Sequence, residues 1–293
     1  PAVCTASPAR TEAALSGIAE AARLTVSGAR ILGIHLEGPF INPKKAGAQE
    51  PAEIRMPSVD LMRGFIRTSR GLIRIVTCAP ELEGGAAFGK FLRSMGIVPA
   101  IGHSDADYAE GIAAIGRGVL YATHLGNAMN GLHHREPGAA LAYLDDPRPY
   151  VEIIPDGVHL HPSFVRLAVR LKGDKAVAIT DALEGLPPGV GSHAFGGRLM
   201  KALRDRYAFA DGTIAGSRLT MDRALKNLIE FTGEDVVSCV KLLTVNPASA
   251  IGLSASKGLI RKGYDADIAV LDRDRNVEMT VVEGKIVYCK REA

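Results

Sequence analysis

Short apolar runs recur along this chain. Each is closed by a Gly, Pro or polar residue, and most are followed by a segment of helical period. Runs of this kind suit strands buried on both faces. They fall near residues 2, 32, 73, 97, 119, 151 and 176. Helices are predicted over Pro8–Leu24, Val59–Thr68, Ala86–Met95, Ala106–Ile115, Pro162–Leu171 and Leu219–Phe231. The first has the clearest signals: Ser7 is placed to cap it, Pro8 is tolerated in a first turn, and an alanine-rich body follows. A polar loop is expected over Leu125–Pro137 and a Gly/Pro-rich loop over Glu184–Gly197.

Strands that alternate with helices predict an α/β fold with a parallel sheet. The count is seven, and a (β/α)8 TIM-type barrel needs eight. The expected architecture is therefore a barrel whose first strand is missing from this sequence, as in an N-terminally shortened form of a longer protein. An open doubly wound sheet is the alternative, but no phosphate-binding Gly-rich turn follows the first strand. From Lys257 the texture changes. Short strands are expected at 258–260, 267–271, 277–282 and 285–288, with turn signals at Gly263 and Glu283-Gly284. They are too few to bury a core alone. Residues 1–254 thus read as the barrel and 255–293 as the C-terminal part of a small β-sandwich, its partner strands expected in the missing N-terminal segment.

Composition removes several classes of function. The 293 residues are 47% hydrophobic and 23% charged, with a net charge of +3 and no Trp. No basic block tracks a nucleic-acid backbone. No apolar run approaches the roughly 20 residues of a membrane span. The four cysteines (Cys4, Cys78, Cys239 and Cys289) lie far apart without a CxxC pair, so a reducing cytoplasm fits better than a disulfide framework.

The candidate chemistry lies at the strand exits. In Leu32–Phe40 an apolar run leads to His35 and Glu37, and Gly38-Pro39 then ends the strand. His103, His124 and Asp181 close three later runs, and His159 lies just beyond another. A barrel brings its strand exits to one mouth. Two neutral imidazoles and a carboxylate suit a catalytic Zn2+ with a position left open for water, and Asp181 is placed to act as acid and base. Taken singly, each residue has a plainer reading: a histidine at a strand end is more often structural, and Asp181 could cap a turn. His133, His134, His161 and His193 read as ordinary polar residues. His35 is expected on the opposite face of its strand from Glu37, although a period of two also permits the same face.

At these residues the chain resembles the N-acetylglucosamine-6-phosphate deacetylases of the amidohydrolase superfamily. The resemblance rests on His35-Leu-Glu-Gly-Pro-Phe40, Gly102-His-Ser-Asp105, Thr123-His-Leu-Gly-Asn-Ala-Met129 and Arg135-Glu-Pro-Gly138. It continues through Asp156-Gly-Val-His159, Thr180-Asp-Ala182, Asp211–Ser217, Asn246-Pro-Ala248 and Lys262–Asp272. It implies that Glu37, His103 and His124 bind one divalent metal ion, Zn2+ first and Fe2+ or another ion as alternatives. Asp181 would be the general acid/base. Asn127, Ala128, Arg135 and His159 would hold a phosphosugar, with Ala48 and Ile214-Ala215-Gly216 lining its sugar. The family resemblance also implies a homodimer. Two departures stand out. The family's first strand, with its His-x-His pair, is absent, which leaves a second metal open. Gln49 stands where the family usually has a histidine, and an amide can donate a hydrogen bond but cannot become an imidazolium. The expected reaction is hydrolysis of the acetamide of N-acetylglucosamine 6-phosphate. The alternatives are another N-acetylhexosamine phosphate or cyclic amide as substrate, or a non-catalytic sugar-phosphate-binding homologue.

Overall fold

The computed structural model describes residues 1–24, 28–183 and 191–290. Seven strands form one parallel sheet in chain order: β1 (Ala2–Val3), β2 (Ile34–Glu37), β3 (Ile73–Cys78), β4 (Val98–Ile101), β5 (Tyr121–Ala122), β6 (Tyr150–Ile153) and β7 (Ala176–Ala178). This is the sheet of the expected barrel, and the strand count agrees. Among the described residues no strand pairs β7 with β1.

The alternation of the strands sorts their residues. Ile34, Leu36, Val76 and Cys78 turn outward onto Leu15, Met62, Phe65, Phe88 and Leu92. These belong to helices α1 (Pro8–Ala21), α2 (Val59–Thr68) and α3 (Gly85–Ser94). Ile101, Ala122, Val151, Ile153, Ala176 and Ala178 face a second apolar layer. It is built from α4 (Tyr108–Gly116), α5 (Ala139–Asp145), α6 (Pro162–Lys172) and α7 (Met221–Thr232), with Cys239 and Leu242 following. Residues of the other parity point into the barrel. Ile75, Ala100 and Tyr121 pack there with Ala250 and Ile251. Ala250 ends the last of two short helices, α8 (Val236–Lys241) and α9 (Val245–Ala250).

The helices fall close to their predicted spans. Ser7 accepts from Arg10 N to cap α1, and Asp107 and Glu110 form a reciprocal cap at the start of α4. α5, α8 and α9 are additions to the sequence reading. The loop expected over Glu184–Gly197 needs correction: residues 184–190 lie outside the described residues, and Ser192–Phe195 is a strand. It is β8 of a four-stranded antiparallel sheet with β9 (Arg198–Ala202), β10 (Arg206–Phe209) and β11 (Ile214–Ser217). Its glycine-flanked strands present mixed polar and apolar residues and lack the apolar runs of the barrel. Near the C-terminus, β12 (Ile268–Leu271), β13 (Val277–Val282) and β14 (Lys285–Cys289) form a separate antiparallel sheet. The strand expected at 258–260 is not formed, and Ile260 there is 87% exposed.

Candidate metal centre and active site

Glu37 is the last residue of β2, and both its neighbours in the centre come from exits further along the sheet. His103 Nε2 and His124 Nε2 lie 3.0 and 2.9 Å from Glu37 Oε1, and 3.2 Å from each other. All three residues are buried, and one ligand atom from each fits within 4.8 Å of the others. The chain pays for this convergence in backbone conformation. Among the described residues seven non-glycine residues have positive φ, and His103 (50°), His124 (30°), Ala128 (48°) and Asp181 (48°) are four of them. Left-handed backbone at a residue with a Cβ persists only where the surroundings impose it, and it clusters at functional sites. Gly102 shows how tight the approach is: a Cβ there would stand 2.6 Å from Thr77 Cγ2 and 3.0 Å from Thr123 Cβ.

The donor set fits a divalent cation. His103 Nδ1 lies 2.8 Å from the Lys45 carbonyl. A carbonyl only accepts, so Nδ1 carries the proton and the neutral ring presents an Nε2 lone pair. That lone pair faces a carboxylate oxygen, a repulsive contact that a cation among the three groups would turn into coordination. The charges of the site also act on one another. Burial pushes the Glu37 carboxyl up, but the two imidazoles outweigh it and hold the group well below its usual range. Burial opposes charge on His124, yet Glu37, Asp181 and Glu152 together raise it to about 9. Each group is thus biased towards an opposite charge beside it.

Asp181 stands three residues beyond β7. Burial, then Glu37, raises its pKa, as befits a carboxyl that shares its space with another. His159 Nε2 lies 3.9 Å from Asp181 Oδ2. The other ring nitrogen of His159 lies 2.6 Å from Asp156 Oδ2, and Asp156 Oδ1 accepts from the backbone N–H of His159 at 2.8 Å. His159 therefore stands beside Asp181, held from behind. A cleft of about 1050 Å3 that runs from the inner face of the sheet out to α1 is lined by Glu37, His124, Glu152, Asp181 and His35, among others. His35 thus shares the face of Glu37 rather than the opposite one, as residues two apart on a strand must. Its Nε2 lies 2.7 Å from Thr77 Oγ1.

Most of the other candidate residues gather around this centre. Asn127 Nδ2 donates to the His124 carbonyl at 3.0 Å, and the Ala128 carbonyl accepts from Ser104 N at 3.2 Å. Ala48 packs against the cluster formed by Met200, Tyr207, Phe209 and Ala215, which ties it to β11. β11 is joined to Asp181 directly, because Ser217 N donates to the Asp181 carbonyl at 2.8 Å. Gly216 has φ 159°, and a Cβ there would meet Leu183 Cγ at 2.8 Å. Ile214 begins the same strand. Arg135 is not drawn in: it is exposed between β5 and α5, next to the equally exposed His133 and His134. Gln49 is buried, and its Oε1 accepts from Thr5 N at 2.7 Å.

Sequence reasoning passed over three groups. Cys4 Sγ donates to Glu37 Oε2 at 3.4 Å; burial first, then Glu37 and Asp181, raise the thiol well above its usual range. Glu81 accepts from Ser104 Oγ and Asp105 N at 2.8 Å each and so fixes the turn after His103. Glu152 accepts from His124 N. Of these, Glu152 had a legible signal: a charged residue in the middle of an apolar strand.

Comparison with known proteins agrees with this geometry. The model of the amidohydrolase family matches residues 4–287. The chain belongs to the amidohydrolase family. Within the amidohydrolases it groups with the N-acetylglucosamine-6-phosphate deacetylases. The one from Bacillus subtilis is 38% identical over 91% of this chain and 67% of its own length. An N-acetylgalactosamine-6-phosphate deacetylase from Escherichia coli O157:H7 is 32% identical over 98% of this chain and 76% of its own. A mutant N-acetyl-D-glucosamine-6-phosphate deacetylase from Mycobacterium smegmatis, solved in complex with N-acetyl-D-glucosamine-6-phosphate, superposes with a TM-score of 0.91. It is 34% identical, and the match covers 98% of this chain and 75% of that one.

Proposed function

We propose that this amidohydrolase removes the acetyl group of N-acetylglucosamine 6-phosphate, giving glucosamine 6-phosphate and acetate. The observation that carries the reading is the buried Glu37–His103–His124 cluster with Asp181 beside it at one end of the sheet. Glu37, His103 and His124 hold one divalent ion in this reading, with Zn2+ the best match to two imidazoles and a carboxylate. Such an ion, when bound, acidifies water at neutral pH and polarises a carbonyl. Asp181 takes the proton of the attacking water as the C–O bond forms, and delivers it to the amine nitrogen as the C–N bond breaks. Its raised pKa favours uptake of the water proton. His159, backed by Asp156, orients the sugar next to Asp181. Asn127 and Ala128 receive the phosphate, and Arg135 adds a bidentate donor only where its exposed loop turns towards them. Ala48 and Ile214-Ala215-Gly216 form the wall for the sugar.

Residues 1–254 serve as the hydrolase barrel and 255–293 as part of a β-sandwich. The working protein in this reading is a cytoplasmic homodimer. All four cysteines are free, and no helix among the described residues is long and apolar enough to cross a membrane.

The similarity to the E. coli galactosamine enzyme favours a second reading, the C4 epimer as substrate. Acetate release from the two epimers, measured side by side, separates them. The expected result is a higher kcat/KM on the gluco compound. Preference for the galacto compound replaces that substrate. Tight binding of both without acetate release identifies a non-catalytic homologue.

A further inference from the structure

Glu152 lies in the middle of β6, inside the barrel, and is only 3% exposed. Its neighbours Val151 and Ile153 turn outward into the helical layer, so the carboxylate is the one charge that this strand sends inward. A buried carboxylate needs partners, and those of Glu152 lead to the metal centre. Its Oε1 accepts from the Tyr121 hydroxyl at 2.8 Å. Its Oε2 accepts from the backbone N–H of His124 at 3.2 Å. Its own carbonyl accepts from Leu125 N at 2.8 Å. One residue thus grips two consecutive residues at the exit of β5.

His124 needs such a grip more than His103 does. The ring of His103 is aimed by its hydrogen bond to the Lys45 carbonyl. His124 Nδ1 is buried and has no hydrogen-bond partner among the described residues. The ring of His124 is therefore aimed through its backbone, and that backbone sits at φ 30°, where a residue with a Cβ does not rest unaided. On the other side, Thr123 Oγ1 lies 2.7 Å from Thr77 Oγ1. That contact restrains the preceding residue but not the His124 peptide itself.

We propose that Glu152 is a positioning residue for the metal centre: by holding the His124 N–H it keeps His124 Nε2 directed at Glu37. This rests on the reading of His124 as a metal ligand. Groups of this kind, which orient a ligand without touching the metal, change metal affinity by about 10- to 100-fold when removed.

The test is a Zn2+ titration of the full, metal-free chain against a competing chromophoric chelator, with the unfolding midpoint of each metal-free protein measured alongside. Glu152→Asp keeps the charge but withdraws the carboxylate from His124. Glu152→Gln keeps the reach but loses the charge. Positioning predicts that Glu152→Asp weakens zinc binding by about 10-fold or more and Glu152→Gln by less. The reverse order, with Glu152→Asp like the parent, means that Glu152 acts only through its charge and overturns the proposal. Lowered midpoints with parent-like zinc affinity in both variants mean a purely structural role and also overturn it. Tyr121→Phe guards against failure of Glu152→Asp to fold. It leaves the charge in place and removes the hydrogen bond to one carboxylate oxygen, which then faces only His35 Nδ1 at 3.8 Å, and a zinc affinity equal to the parent's in this variant counts against positioning. If the parent itself takes up no zinc, the ligand assignment falls and the proposal with it.

Discussion

Asp181 is the residue on which the chemistry turns, and it can be altered without disturbing its surroundings. Its structural hydrogen bond, to Ser217 N, runs through its backbone carbonyl. Asp181→Asn should therefore bind zinc as the parent does and lose about a thousandfold in kcat. Metal content and steady-state rates on one preparation check this, and a variant that retains a tenth of parental kcat removes Asp181 from the acid/base role. At this scale the sequence was most informative where residue type and strand exit coincided. Glu37, His103, His124 and Asp181 each closed an apolar run, and barrel topology alone brings such ends together. Cys4 and Glu81 were not legible, since their importance lies in contacts 33 and 23 residues away. Neither type is unusual near a strand end. The side of the strand taken by His35 was legible in principle from its period of two.

Between elements, Lys172 makes a join that can be followed by pH. It sits at the end of α6, is 5% exposed, and donates through Nζ to the Tyr143 and Asp146 carbonyls near the end of α5. Burial lowers its pKa to about 8, against about 10.4 in an unfolded chain. Between those values the unfolded chain binds a proton that the folded one has released, so stability from this group rises with pH. Below pH 8 the cost of the buried charge is present in full. Cys78, pushed up to about 12 by burial, acts in the opposite direction. The informative quantity is therefore the difference between the parent and Lys172→Met. That difference in unfolding free energy should move in favour of the parent by on the order of 1 kcal/mol between pH 8 and 10. Urea titrations at the two pH values measure it, and a constant difference means that Lys172 keeps an ordinary pKa in the folded protein. At the scale of elements, the barrel strands and their longer helices were read well because runs of Val, Ile, Leu and Ala buried on both faces leave a strong pattern. The sheet β8–β11 was not. Ser192–Phe195 alternates between exposed and half-buried positions, and its glycine-rich surroundings read as loop.

Across the molecule, the metal centre joins strands far apart in the sheet, because Glu37 lies at the end of β2 while His103 and His124 follow β4 and β5. Closing the three over one ion should therefore act on global stability. Zinc at about a hundred times its Kd should stabilise the folded chain by about 2.7 kcal/mol, raising the thermal midpoint by several degrees. His124→Ala should abolish that rise. A midpoint insensitive to zinc in the parent contradicts a preformed metal site. The family, too, was legible in the sequence, since its motifs occur in order along most of the chain and those carrying Glu37, His103, His124, His159 and Asp181 meet at one end of the barrel. Arg135 stays apart on an exposed loop, Asn246 donates to the Ala176 carbonyl at the start of β7, and Ile268–Leu271 belongs to the separate C-terminal sheet. The most direct measurement of the whole is acetate release from N-acetylglucosamine 6-phosphate by the purified chain, with zinc added, after chelation, and after zinc is restored. Release that chelation abolishes and zinc restores is the expected result. Release that persists through chelation, or no release from a folded, zinc-loaded chain, contradicts a metal-dependent deacetylase.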